Sequence, residues 1–335
     1  MTTRELTLPT AELHLHIEGT LEPELILELA ARNGIALPFP TLELLSAQYE
    51  FKDLQSFLNL YYANMAVLIT EADFADMTRA YLGRAQAAGV RHAEIMFDPQ
   101  AHLARGVELT TAVDGIVAAL ASSEAEFGIS TGLIAAFLRD ESEDSALEVL
   151  EALLSMGAPI IGIGLDSAEV GNPPSKFVRL FERARAAGLR LVAHAGEEGP
   201  PSYVVEALDL LGVERIDHGI RSVEDPALVR RLVAEQVPLT VCPLSNVRLR
   251  AVDTLAEHPL PRMIEAGMNV SVNSDDPAYF GGYLGTNFEA LETEFAWGAS
   301  VARTLAGNSI RSSFASDSRK SELLAELDSW SAAQG

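Results

Sequence analysis

The sequence predicts an α/β protein with a (β/α)8 TIM-barrel fold and extra helices between strands 1 and 2 and at the C-terminus. Eight short apolar segments alternate with segments of helical periodicity along the 335 residues. Six of the helices stop at a glycine, and polar residues end strands 1, 4, 5, 6 and 8. A doubly wound open sheet is the alternative, but no strand precedes a glycine-rich dinucleotide-binding turn.

The first strand contains the segment Ala11-Glu-Leu-His14-Leu-His16-Ile-Glu18-Gly19. Alternate residues of a strand share one face, so His14 and His16 are expected to point the same way, about 7 Å apart along the strand. Two imidazoles placed in this way can bind one cation. They can equally be hydrogen-bonded strand residues without a ligand.

The remaining elements follow in order along the chain. Helices are predicted over 22–32, 51–69 and 71–88, before a second strand over 90–97. The roughly 70 residues between the first two strands exceed an ordinary βα connection, so we expect 20–88 to form a helical, lid-like insertion. Later strands are predicted at 130–138, 160–165, 189–194, 215–218, 238–242 and 269–273, and the helices between them at 110–127, 142–155, 174–187, 201–211, 225–235 and 259–266.

The end of the chain is predicted to be helical, over 284–306 and 319–330. We therefore expect a C-terminal helical segment at 284–332. No Gly/Ser-rich linker or internal repeat divides the sequence, which predicts one domain over 1–335.

Composition limits the classes of function. The net charge of −24, without a basic patch, argues against a nucleic-acid polymer as substrate. No apolar run is long enough to span a membrane, and the absence of an apolar leader predicts a cytoplasmic location. The single cysteine, Cys242, excludes an internal disulfide and a cysteine-rich zinc site, and we expect it to be buried packing. A homo-oligomer is compatible with the sequence.

Further histidines and carboxylates stand at three later strand ends. Strand 5 ends at His194-Ala-Gly-Glu197, strand 6 at Asp217-His218-Gly219 and strand 8 at Ser274-Asp275-Asp276-Pro277. A lone strand-end histidine is usually structural, but the strand ends of a barrel meet at one mouth. Three histidines and a carboxylate there can hold one divalent metal and leave room for a water. Zn²⁺ is the expected ion, with Fe²⁺ and Mn²⁺ as alternatives.

These motifs resemble, in order and over about residues 11–308, the adenosine/adenine deaminase branch of the amidohydrolase superfamily. Phe97-Asp-Pro-Gln-Ala-His102 and Gly164-Leu-Asp-Ser-Ala-Glu169 resemble the bacterial and fungal adenine deaminases in particular. The resemblance implies that a small purine base, adenine, is hydrolysed to hypoxanthine and ammonia. The alternatives are adenosine or a modified adenine as the substrate, and a barrel that binds purines without turnover.

The same resemblance implies a role for each site residue. The metal would be bound by His14, His16, His194 and Asp275. His218 would take a proton from the attacking water or hold the resulting hydroxide. Glu197 would protonate N1 of the purine, which a dry pocket favours, and Asp276 would hydrogen-bond at N7. A solvated loop carboxylate and a helix N-cap are the structural alternatives for Glu197 and Asp276.

The substrate preference is predicted from the strand-4 segment. A pocket for free adenine needs an acceptor for N9–H, because a buried unpaired donor costs about 1–3 kcal/mol. Glu169 stands where the adenosine enzymes have a glycine, and is the predicted acceptor for N9–H or N3–H; a surface loop position is the alternative. Glu18 and Gly164 are further predicted substrate contacts. Binuclear amidohydrolases bridge two metals with a lysine near the end of strand 4, and 160–166 contains none, so one metal is expected.

Overall fold

The computed structural model describes residues 7–334, in which eight parallel strands form one sheet in the order β1 to β8. The sheet closes into a barrel just beyond β1. There the backbone N–H of His16 donates to the carbonyl of Asp275 (3.0 Å), and the backbone N–H of Asp275 donates to the carbonyl of His14 (3.1 Å). The predicted TIM barrel is confirmed. The strands are β1 (Thr10–Glu12), β2 (Val90–Phe97), β3 (Ser130–Leu138), β4 (Ile160–Asp166), β5 (Arg190–Ala195), β6 (Arg215–His218), β7 (Pro238–Val241) and β8 (Asn269–Val272).

Helices surround the barrel on its outer side and cross its mouth. They are α1 (Pro23–Asn33), α2 (Leu42–Ser46), α3 (Leu54–Asn64), α4 (Glu71–Ala87), α5 (Pro99–Ala104), α6 (Leu109–Leu120), α7 (Ser123–Phe127), α8 (Glu143–Ser155), α9 (Val178–Ala186), α10 (Pro201–Glu206), α11 (Pro226–Glu235), α12 (Pro243–Arg248), α13 (Leu260–Glu265), α14 (Pro277–Phe280), α15 (Leu284–Phe295), α16 (Gly298–Ser312) and α17 (Asp317–Gln334). None of the helices in the described range is both long and apolar enough to cross a membrane.

The first strand is shorter than the sequence pattern predicts. Regular pairing ends at Glu12, and beyond it the chain makes only isolated bridges before a 3₁₀ turn over Glu18–Thr20. Gly19 permits this path, because a Cβ at that position would overlap the carboxyl of Asp276. The segment that carries His14 and His16 is therefore fixed by closure against β8 rather than by a long ladder.

Two helices predicted as continuous are broken in the structure. The helix predicted over 284–306 divides at Ala296, whose φ of 50° is left-handed, and the one predicted over 110–127 divides into α6 and α7. Four short helices were not predicted: α2, α5, α12 and α14. The last three begin with a proline, which suits the first turn of a helix, and each follows a strand within five residues.

The barrel interior beneath the mouth is filled by an apolar layer and an ion pair. Met96, Ile134, Ala136 and Val192 form a fully buried cluster inside the sheet. Arg215 is also fully buried and pairs with Glu94 at 2.7 Å. Packed side chains thus close the far end, and polar groups can meet a ligand only at the carboxyl ends of the strands.

Candidate active site

Four donor atoms converge at the mouth. Nε2 of His194 lies 3.0 Å from Nε2 of His14 and 3.2 Å from Nε2 of His16. Oδ1 of Asp275 lies 3.1 Å from the first of these nitrogens and 3.5 Å from the second. Ligands about 2.05 Å from one tetrahedral ion would be about 3.4 Å apart, so these atoms fit a single divalent metal.

The charges around this cluster also suit a cation. Burial and the neighbouring His14 hold the pKa of His194 well below its ordinary value, so this imidazole keeps a free lone pair. Burial would lower the pKa of His16, but Asp276 and Asp98 raise it well above the ordinary value. Burial would favour protonated Asp275, yet His14 holds its pKa well below the usual range. The carboxylates thus attract positive charge to the place where a metal would bind.

Residues behind the ligands hold them in place. Thr240 Oγ1 lies 3.2 Å from Nδ1 of His14 and donates its hydroxyl to Asp217 at 2.7 Å. Ser245 donates to the outer oxygen of Asp275 at 2.6 Å. Such contacts fix the orientation of ligand side chains. Cys242 is fully buried, with Sγ 3.4 Å from Nδ1 of His14, and burial raises the pKa of its thiol, which agrees with the predicted packing role.

His218 lies beside the cluster on the side of Glu197. Its Nε2 is 3.6 Å from Oε2 of Glu197 and 3.7 Å from Oδ2 of Asp275. The set His14, His194, His218 and Asp275 brings its four donor atoms within 4.8 Å of one another. Nε2 of His16 lies nearer to Asp275 than Nε2 of His218 does, at 3.5 Å against 3.7 Å.

A small cavity opens next to the cluster. Helix α3 lies across it, which is where the lid-like insertion is predicted to act. The lining residues are His16, Leu54, Phe57, Leu58, Tyr61, Tyr62, Asp98, Asp166, Ser167, His194, Glu197, His218, Leu249, Asp275 and Asp276.

Four of the residues that line the cavity have a buried carboxyl oxygen without a hydrogen-bond partner among the described residues. The atoms are Oδ1 of Asp98, Oδ1 of Asp166, Oε1 of Glu197 and Oδ1 of Asp276. A buried polar atom without a partner costs free energy. Four of them around one cavity indicate that it receives a small polar molecule with several nitrogen or oxygen atoms on its edge.

Three of these carboxyl groups are held in the acid form. Burial, followed by the charge of Asp98, raises the pKa of Asp166 well above its ordinary value. Burial, followed by the charge of Asp275, raises the pKa of Glu197 well above its ordinary value. The same two causes raise the pKa of Asp276. Each can therefore donate a proton or a hydrogen bond to a ligand nitrogen near neutral pH.

Glu169 is buried but does not line the cavity, so the structure does not place it as the predicted acceptor for N9–H or N3–H. Its carboxylate accepts four backbone N–H groups, from Gly196 at 2.6 Å, Glu197 at 3.0 Å, Glu198 at 2.8 Å and Gly199 at 2.7 Å. Glycine at 199 allows this approach, since a Cβ there would lie 2.5 Å from Oε1 of Glu169. Glu169 holds the loop that carries Glu197.

Replacing Glu169 with glutamine is expected to lower kcat/KM for the reaction at this site about 5- to 150-fold, mostly through kcat. Glutamine has one acceptor oxygen, and its NH₂ would face N–H donors, which costs about 1–3 kcal/mol. Steady-state kinetics check this, with Glu198→Gln as the matched control on the same loop. Unchanged kinetics in Glu169→Gln would show that the loop does not depend on this carboxylate.

Glu18 and Gly164 also lie outside the cavity lining. Oε1 of Glu18 is 2.6 Å from Nε2 of His102 and accepts the backbone N–H of Asp98 at 3.2 Å. Gly164 lies within β4, and a Cβ there would meet Ala136 at an ordinary 3.6 Å. The structure places both residues behind the side chains that line the cavity, and neither of them lines it.

Sequence reasoning did not assign roles to Asp98 and Asp166, although both stand at strand ends. Asp98 directly follows β2, and Asp166 is the last residue of β4. Their carboxylates lie 3.9 Å and 3.5 Å from Nδ1 of His16. The rule that strand ends meet at the mouth could have identified them. No sequence signal pointed to Tyr61 or Tyr62, which reach the cavity from α3.

A barrel of this kind with a His/Asp cluster at its mouth is the architecture of an amidohydrolase-type metal enzyme. The family model described as adenosine deaminase matches residues 9–330. The chain belongs to this family, and its cluster is a site for a divalent metal.

Several relatives resemble the chain over nearly its full length. An adenine deaminase from Streptomyces coelicolor is 62% identical over 97% of this chain and 96% of its own, and one from Rhodospirillum rubrum is 56% identical over 96% of each. The solved adenine deaminase from Arthrobacter aurescens is 71% identical, with a TM-score of 0.96 over 97% of this chain and 99% of its own. An amidohydrolase from Burkholderia ambifaria, solved with bound Zn, is 29% identical, with a TM-score of 0.88 over 98% and 92%.

Proposed function

We propose that this protein hydrolyses adenine to hypoxanthine and ammonia. The observation that carries the proposal is the set of unpartnered carboxyl oxygens around a small cavity beside the His/Asp cluster. Adenine offers ring nitrogens N1, N3 and N7 as acceptors and N9–H as a donor, so it suits such a lining. The high identity to adenine deaminases supports the same substrate.

The proposed roles follow from the positions of the side chains. His14, His16, His194 and Asp275 would hold the divalent metal, which supplies positive charge that brings the pKa of a water towards 7. Glu197 protonates N1, which makes C6 electron-poor enough for water to add, and Asp276 donates to N7. His218 lies within 3.7 Å of both Asp275 and Glu197, and it orients the attacking water between them.

Zn²⁺ is the proposed metal. Three imidazoles and one carboxylate form a donor set that zinc favours, although Fe²⁺ and Mn²⁺ accept the same ligands. The bound Zn in the Burkholderia ambifaria amidohydrolase supports this choice. Elemental analysis of the purified protein, followed by reloading of the metal-free form with each ion, tests it. The cytoplasmic location and a homo-oligomer stay predictions.

We propose that Asp98 and Asp166, and not Glu169, select free adenine over its nucleoside. Oδ1 of each is buried and has no partner in the described range, and both residues line the cavity. A donor such as N9–H would satisfy one of these oxygens. A ribose at N9 would remove that donor and would need room where the carboxylates stand, so both effects exclude the nucleoside.

The protein is therefore expected to prefer adenine to adenosine and to 9-methyladenine by about 10⁴-fold or more in kcat/KM, because a buried acceptor left unpaired rejects the analogue that lacks the donor. Ammonia release from the three compounds measures this. Equal turnover of adenosine would identify a nucleoside deaminase.

Replacing Asp98 with alanine should lower kcat/KM for adenine about 5- to 150-fold. The residual rate on 9-methyladenine should fall by a smaller factor, because this compound has no N9–H for Asp98 to bind. The exposed Asp140 provides the matched control, Asp140→Ala. If both substrates lose the same factor, Asp98 does not recognise N9–H.

A further inference from the structure

A line of hydrogen bonds leads from the backbone of α13 to His218. The backbone N–H of Leu260 donates to Nδ1 of His258 at 3.0 Å. Nε2 of His258 lies 3.1 Å from Oδ1 of Asn246, and Nδ2 of Asn246 lies 3.1 Å from Nδ1 of His218. The three side chains are 0–3% exposed, so water does not offer them other partners.

The direction of every bond in this line follows from its first donor. A backbone N–H can only donate, so Nδ1 of His258 is the acceptor and Nε2 of the neutral ring carries the proton. That proton must be donated to the oxygen of Asn246, so the amide NH₂ faces His218. Nδ1 of His218 then accepts, and its proton is on Nε2.

We infer that Asn246 and His258 are positioning residues that hold His218 in the tautomer with its proton on Nε2. Burial agrees with a neutral partner, since it lowers the pKa of His258 to about 4. A proton on Nδ1 of either ring would place two donors face to face, at Asn246 for His218 or at Leu260 for His258. The network therefore specifies the tautomer of both histidines.

The tautomer decides between the two roles that the sequence left open for His218. With its proton on Nε2, the ring presents a donor towards Asp275 and Glu197, and it has no free lone pair there to take a proton from water. His218 accordingly holds the oxygen of the attacking water or hydroxide by donating to it. It is also unsuited as a metal ligand through Nε2, which agrees with His16 as the third imidazole. This consequence rests on the proposed function, whereas the tautomer itself does not.

Nitrogen NMR of the zinc-loaded protein labelled with [¹⁵N]histidine tests the inference without substrate. The shifts of the two ring nitrogens distinguish a protonated from a bare nitrogen, and the spectrum of His218→Gln assigns the signals of His218. We expect protonated Nε2 and bare Nδ1 in both His218 and His258. A proton on Nδ1 of His218 in the wild type would overturn the inference. Failure of the wild type to release ammonia from adenine would count against the proposed function alone.

The variant Asn246→Asp tests whether the network sets the tautomer. A carboxylate can only accept, so Nδ1 of His218 should become protonated. We expect kcat/KM for adenine to fall about 10- to 100-fold, the range known for residues that orient metal ligands, while metal content stays at the wild-type level. Asn59→Asp, at an exposed position of α3, is the matched control. Wild-type nitrogen shifts together with a wild-type rate in Asn246→Asp would contradict the role of Asn246.

Discussion

Removal of one ligand, as Asp275→Ala or His16→Ala, is expected to abolish adenine turnover and to leave the protein with sub-stoichiometric metal. Oδ1 of Asp275 contacts Nε2 of both His14 and His16. Loss of this carboxylate removes one of the four metal-binding atoms and the negative charge that balances the ion. Loss of a residue behind a ligand typically costs about 10–100-fold in metal affinity or activity. Loss of a ligand itself should exceed that.

Elemental analysis and ammonia-release kinetics check this on the same preparations. His218→Ala separates the two alternative ligand sets, because it should lose activity and keep the metal if His16 is the third imidazole. His92→Ala is the matched control. His92 is a buried histidine that is hydrogen-bonded to Ser130, at the start of β3. Full occupancy with normal turnover in Asp275→Ala or His16→Ala would disprove the ligand assignment.

Glu197→Gln is expected to retain the metal and to lose about 10²–10⁴-fold in kcat on adenine, the usual contribution of a positioned general acid. Glutamine can hydrogen-bond to N1 but cannot protonate it. Glu198→Gln, one residue further on the same loop, should have nearly wild-type activity. A loss smaller than about tenfold in Glu197→Gln would mean that another group protonates the ring.

The pH dependence of the same reaction gives an independent check. Burial and Asp275 raise the pKa of Glu197, so the acid form persists to higher pH than for an ordinary glutamate. It is present below the raised pKa and is lost as the pH rises through it. The value of kcat/KM should therefore fall on the alkaline side. In Glu197→Gln that fall should be smaller, because Asp276 then still loses its proton there.

Glu169 can be found from the sequence, but the groups that its side chain contacts cannot. Its position near the end of β4 and its difference from the glycine of the adenosine enzymes are both readable from the sequence. The direction of its side chain is not, because that depends on the loop after β5 coming within hydrogen-bonding distance. Four backbone donors at 196–199 bind the carboxylate, and the side chain does not line the cavity.

The sequence by itself determined the barrel and its metal centre. The alternation of strands and helices predicts the fold. Because a parallel barrel brings every strand end to one mouth, it also predicts that His14, His16, His194, His218 and Asp275 meet there. The division of these residues into ligands and His218 was implied by the resemblance to the deaminases. Only the tertiary structure decided which of the remaining polar residues face the cavity. Asp98 and Asp166 face it, while Glu18 and Glu169 are occupied by neighbouring groups. The physical reason is that strand order is encoded locally by periodicity, whereas the partner of a buried carboxylate depends on which distant backbone or side-chain donor folding brings within about 3 Å.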